Sequence, residues 1–166
     1  LLVPILLLQG LQSSIRITMS RQSQRFVPKS FNFLIFFLIA SGISASEPIS
    51  LEKILPNIEV VSKFQDRQKG LMNKKAIPEN YGMFFIWNTK KVQCMWMKNT
   101  YIPLSVAYMD RSGKIINIYD MVPLSKISVC SDRPALYALE VNRGWYKRNN
   151  IKVGDILDLD KILQND

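Results

Sequence analysis

The sequence contains no histidine. That absence removes Ser-His-Asp and Cys-His catalysis, histidine-ligated zinc and histidine acid–base work in their usual forms. Cysteine is nearly as scarce: Cys94 and Cys130 are the only two, too few for a four-cysteine zinc site and without the C-x-x-C spacing that tunes a redox thiolate. Glycine is sparse, and Gly82, Gly113, Gly144 and Gly154 stand apart from one another, so no glycine-rich loop can cradle a phosphate. The sequence also lacks internal repeats, low-complexity tracts and the alternation of strands with long helices that builds a βαβ sheet.

What is present begins with a leader pattern. Residue 1 is Leu and the first Met is Met19, so residues 1–18 read as an upstream extension outside the native protein. From Met19, the basic residues Arg21, Arg25 and Lys29 precede the apolar run Phe31 to Ala40, and small residues from Ser41 to Ser46 follow. This is the order of a signal peptide over residues 19–46, with cleavage near Ala45 or Ser46. The run is shorter than the roughly 20 apolar residues that span a bilayer. The expected location is therefore periplasmic or secreted, and residues 47–57, with Pro48 and Pro56, read as a linker.

The formal net charge is +9, and Arg16, Arg21, Arg25 and Lys29 account for four of the nine excess positive charges. The remaining basic residues, among them Lys69, Lys91, Lys147 and Arg148, are scattered without a nucleic-acid motif. They read as a solvated surface, and no nucleic-acid partner is expected. An even cysteine pair in an exported chain permits a Cys94–Cys130 disulfide, whereas Cys94 among Met and Trp also reads as a small buried apolar residue. Both readings stand at this level.

The β-branched and aromatic runs predict strands at Ile58 to Phe64, Gly82 to Trp87, Cys94 to Leu104, Leu104 to Met109, Lys114 to Tyr119, Leu136 to Val141 and Val153 to Leu159. Short helices are expected over Gln65 to Met72 and Trp145 to Asn149, and Asp110-Arg111-Ser112-Gly113 supplies a hairpin turn. Short strands at regular spacing predict a mainly β, β-rich α+β domain over residues 58–162: a compact, antiparallel, barrel-like arrangement of six to seven short strands with one or two short helices.

The stretch Cys94-Met95-Trp96-Met97-Lys98-Asn99-Thr100 runs from sulfur and aromatic side chains into polar ones. As a strand it would place Cys94, Trp96 and Lys98 on one face and Met95, Met97 and Asn99 on the other, leaving a core and opening into a cleft. Glu140, following Leu136 and Ala138 on one strand face, brings a carboxylate to a core edge, where it needs a partner or a raised pKa. Trp96, Lys98, Asn99 and Glu140 are thus the candidate binding cleft, and a structural Lys98–Glu140 ion pair is the competing reading. No catalytic residue, metal ligand or cofactor is assigned. Asp155 after Gly154 reads as a turn residue.

Lys69-Gly70-Leu71-Met72, Gly82-Met83-Phe84-Phe85, Met95-Trp96-Met97-Lys98-Asn99-Thr100 with Ile102-Pro103-Leu104, Ala138-Leu139-Glu140-Val141 with Gly144, and Gly154-Asp155 occur in that order. Together they resemble the motifs of the domain-of-unknown-function 192 family over residues 58–160. The resemblance implies a compact β-rich, barrel-like domain, often exported, of no established biochemical role. The family usually carries Arg where this chain has Lys69, and Asp where it has Ser105. Neither replacement can reproduce a bidentate Arg–carboxylate contact.

The function expected is a monomeric, non-enzymatic binding module for an unidentified cell-envelope ligand, touching the membrane only through its leader. Two alternatives stand beside it. One is an envelope hydrolase pairing Glu140 with Asp110 or Asp155, which needs carboxyl groups roughly 5 to 10 Å apart. The other is a soft-metal, copper-binding protein using Cys94, Met95 and Met97.

Overall fold

A computed structural model describes residues 47–164. The extension and the leader expected over residues 1–46 lie outside the described residues. The chain enters through β1 (Ile49–Ser50) and the single-turn helix α1 (Leu51–Ile54), then β2 (Asn57–Val61), α2 (Phe64–Lys69) and the long β3 (Tyr81–Lys91). There follow β4 (Cys94–Met95), β5 (Leu104–Met109), β6 (Ile115–Met121), β7 (Val129–Cys130), β8 (Ala135–Asn142), α3 (Trp145–Arg148), β9 (Leu157–Asp158) and α4 (Asp160–Leu163).

The fold is mainly β, in the β-rich α+β class. Its body is a five-stranded sheet in the order β2-β3-β8-β5-β6, flanked by two-stranded sheets β1-β9 and β4-β7. The sheet is open rather than closed into a barrel. Nor is it wholly antiparallel: β2 runs parallel to β3, with Asn57 beside Tyr81 and Val61 beside Phe85, so α2 is a short crossover. Strand β8 occupies the centre, antiparallel to β3 on one side and to β5 on the other.

Both sheet faces are covered, which explains why the central strands read as apolar throughout. All six residues of β5 are buried. Side chains alternate between faces along each strand. Phe84, Ala107, Met109 and Leu139 therefore meet Leu51, Leu55, Trp145 and Leu157 on one side. On the other, Met83, Phe85, Val106 and Tyr108 meet Val61, Leu71 and Met97. Truncating a fully buried ring such as Phe84 to Ala would cost about 3 to 5 kcal/mol.

Three boundaries differ from the sequence reading. Residues 47–57 are not a free linker: Leu51 and Leu55, one helical turn apart, are buried in the core. Leu55 packs so closely on Gly82 that a Cβ there would lie 2.7 Å from Leu55 Cδ2. The expected strand from Cys94 to Leu104 survives only over Cys94–Met95. Beyond it, the Met97 N–H donates to Ser125 O at 3.0 Å and the Thr100 N–H to Met97 O at 3.0 Å, closing a turn in which Asn99 takes φ +57°. The expected final strand from Val153 is confined to Leu157–Asp158, preceded by a single bridge between Lys114 and Ile156.

The two cysteines form a disulfide, joining β4 to β7 where Cys94 stands opposite Cys130. Closing a loop of 36 residues contributes about 3 to 4 kcal/mol in the chain-entropy account.

Candidate functional site

Glu140 belongs to the central strand, on the sheet face shared by Met83 of β3 and Val106 of β5. Register alone places a carboxyl in the middle of an apolar surface. Glu140 is 4% exposed and, among the described residues, has neither a hydrogen bond nor an ion pair. Burial pushes its pKa up from 4.5 to about 8, because a low-dielectric setting disfavours the charged form. At neutral pH it is therefore mostly a neutral acid able to donate a hydrogen bond. Burial, with the nearby Glu140 charge second, also raises the Tyr108 phenol, whose hydroxyl donates to Val129 O at 2.7 Å.

A cleft of about 460 Å³ opens over this carboxyl. One wall is α2 and the turn after it, through Arg67, Lys69 and Met72; the others come from Trp87 of β3 and from Cys94, Met95 and Trp96. Arg67 fastens the first wall. Its Nη1 donates to Ser62 O and, at 3.0 Å, to Ile86 O, and its guanidinium lies 5.9 Å from the Trp87 ring centre. Thr100 is buried and also lines the cleft. The arrangement offers one unsatisfied hydrogen-bonding acid at the floor, indole surface on the walls and cations at the mouth.

The four residues singled out in the sequence divide. Trp96 and Glu140 both line the cleft. Lys98 and Asn99 do not, because the turn after Met95 breaks the strand alternation that would have aimed them there. Lys98 lies instead over the outer side of the site, its Nζ 5.4 Å from the Trp96 ring centre, and forms no ion pair with Glu140. Asn99 shapes the turn, and its carbonyl accepts from the Asn73 N–H at 2.8 Å, bracing the loop beside the cleft wall. Arg67, Trp87 and Thr100 were missed. Two of them had a signal: Thr100 closes the Cys94-to-Thr100 stretch, and a period of two puts Trp87 on one face with Met83 and Phe85.

The two alternative chemistries lose their geometry. Glu140 is the only carboxylate among the described residues lining the cleft. Asp110 Oδ1 accepts from the N–H groups of Ser112 and Lys114, and Asp155 Oδ2 from the Lys152 N–H, so both hold turns. Cys94 is bonded to Cys130, and Met97 is buried in the core, which dissolves the proposed set of soft ligands.

Ser105, where the family resemblance implies Asp, is buried away from the cleft. Its hydroxyl donates to Asp120 Oδ1 and accepts from the Gly144 N–H at 3.0 Å.

An open mixed sheet with a cleft over a buried acid defines a β-rich α+β domain. The family model for DUF192, described as Uncharacterized ACR, matches residues 49–159. The chain belongs to that family. A comparison with curated proteins gives no significant match. Two solved structures are similar: a protein from Sinorhizobium meliloti 1021 described as a candidate transcription regulator, and a protein of unknown function from Novosphingobium aromaticivorans DSM 12444. The first has a TM-score of 0.59 at 34% identity, covering 61% of this chain and 79% of its own. The second has a TM-score of 0.58 at 31% identity, covering 60% and 71%.

Proposed function

We propose that this protein is an exported binding module that holds a small polar ligand, or one unit of a polymeric ligand, of the cell envelope over Glu140. The observation that carries the reading is a carboxyl almost fully buried, without a protein partner among the described residues, at the floor of an open cleft. A buried polar group left unpaired costs free energy, and a ligand hydroxyl or carbonyl would remove that cost. Trp96 offers an indole face for a sugar ring or other flat apolar surface, and Lys69 and Lys91 at the mouth suit an anionic group. The Cys94–Cys130 disulfide supports export, since such bonds persist in oxidising compartments, and the leader pattern points the same way.

The test is calorimetric titration at pH 7 with soluble peptidoglycan fragments and with acidic envelope oligosaccharides. Binding of one of them should fall at least tenfold in Glu140→Leu and in Trp96→Ala, while Lys98→Ala and Asn99→Ala retain it within a few fold. Absence of binding by all probes, or binding indifferent to Glu140→Leu, would sink the proposal.

A further inference from the structure

Beside the cleft, and sharing Trp96 with it, lies an exposed apolar surface. Ile127 is 79% exposed, Val122 65%, Tyr101 56%, Leu124 53% and Trp96 43%. They come from two segments, residues 91–101 and 121–131, tied together by the β4–β7 pair, by hydrogen bonds between Gln93 and Ser131, and by three further links. The disulfide joins Cys94 to Cys130, the Met97 N–H donates to Ser125 O at 3.0 Å, and the Leu124 N–H donates to Thr100 O at 3.0 Å. The apolar side chains are thus presented on a stapled platform rather than on loose loops. Leu124 is held at φ +63°, a conformation that side chains other than glycine rarely take, and its side chain is exposed nonetheless.

Charge selects the partner. The two segments contain Lys91, Lys98 and Lys126, all exposed, and not one Asp or Glu. The nearest acids in sequence, Asp120 and Asp132, are engaged by the hydroxyls of Ser105 and Tyr119. Aromatic residues with an apolar body and a polar tip, aliphatic side chains at a loop tip and lysines on flexible stems are the set that enters the headgroup layer of an anionic bilayer. A folded protein partner would need matching acids and a fitted surface; a lipid surface needs only this mixture.

We infer that the platform formed by Trp96, Tyr101, Val122, Leu124 and Ile127, with Lys98 and Lys126, docks the domain onto anionic lipid membrane. This is a contact separate from the leader, to which membrane association was expected to be confined. Trp96 and Ser128 also line the cleft. Docking therefore brings one edge of the cleft to the headgroup layer.

The experiment is amide hydrogen exchange on the full chain with vesicles of phosphatidylglycerol and phosphatidylcholine, with vesicles of phosphatidylcholine alone, and without vesicles. Reading exchange segment by segment separates the platform from any binding through residues 1–46. Phosphatidylglycerol vesicles should slow exchange across residues 121–128 at least threefold, phosphatidylcholine alone much less, and Ile127→Asp should abolish the slowing. Val122→Asp, on the other flank of the loop, should do the same and guards against a folding defect peculiar to one variant. Unchanged exchange with anionic vesicles, or slowing that survives both substitutions, overturns the inference. So does slowing that appears without lipid as protein concentration rises, which would assign the platform to a second copy of the chain.

Discussion

Glu140 stands directly opposite Met83 in the β3–β8 ladder, a carboxyl facing a thioether that can neither neutralise it nor donate to it. Burial in that apolar setting accounts for the raised pKa and makes the residue a measurable load on the fold. In the unfolded chain the group titrates near 4.5, and in the folded one near 8. Between those values the folded state holds the extra proton. The contribution of Glu140 to stability therefore falls as pH rises through the window and levels off above it.

Denaturant unfolding at pH 5 and pH 8.5 should show the wild type losing roughly 3 to 5 kcal/mol through this group, and Glu140→Gln losing far less over the same range. Equal pH dependence in the two proteins would show that the carboxyl is not buried as described.

The Ser105–Asp120 contact supplies a second test. Ser105→Ala leaves the Gly144 N–H without its acceptor and should cost about 1 to 3 kcal/mol. Ser105→Asp sets two carboxylates side by side and should destabilise the fold at neutral pH. Adding Asp120→Ser should restore most of the loss. A double-mutant cycle without coupling would refute the Ser105–Asp120 contact.

Reducing the Cys94–Cys130 disulfide, or replacing both cysteines with Ser, should lower unfolding free energy by about 3 to 4 kcal/mol. The loss should be local in its first effects: β4 and β7 make only a two-residue pair, whereas the five-stranded sheet is continuous without them. Amide exchange should accelerate at residues 94–101 and 121–130 well before it does in β5 and β8.

Gly113 has φ +78°, and a Cβ there would come within 2.3 Å of Leu157 O. Gly113→Ala should cost about 2 to 4 kcal/mol, combining left-handed backbone strain with a clash that no side-chain rotation relieves. Thermal melting checks it, and Gly154→Ala, which meets nothing within 4 Å, serves as the control for the φ effect alone.

The β5–β6 hairpin was legible because its signals are local: Asp110 and Gly113 build the turn, and alternation sets the strands. Strand β8 was legible from its apolar run, and Glu140 from being the one charge within it. The path of Lys98 and Asn99 was not, because the turn at Met97–Thr100 depends on Ser125, a partner far along the chain. Leu51 and Leu55 were hidden by flanking prolines, and their burial depends on Gly82 leaving room. The cleft itself arises where α2 crosses between parallel strands, and no periodicity within one segment announces where a neighbouring helix will stop.

Strand β1 pairs in parallel with β9, Ile49 beside Leu157, and the Ile49 N–H donates to Ile156 O at 2.7 Å. The beginning of the domain is thus completed by nearly its last residues. During synthesis, Leu51 and Leu55 lack part of the surface they pack on until residue 157 has emerged. The first residues of the domain therefore gain their full native packing only together with nearly its last.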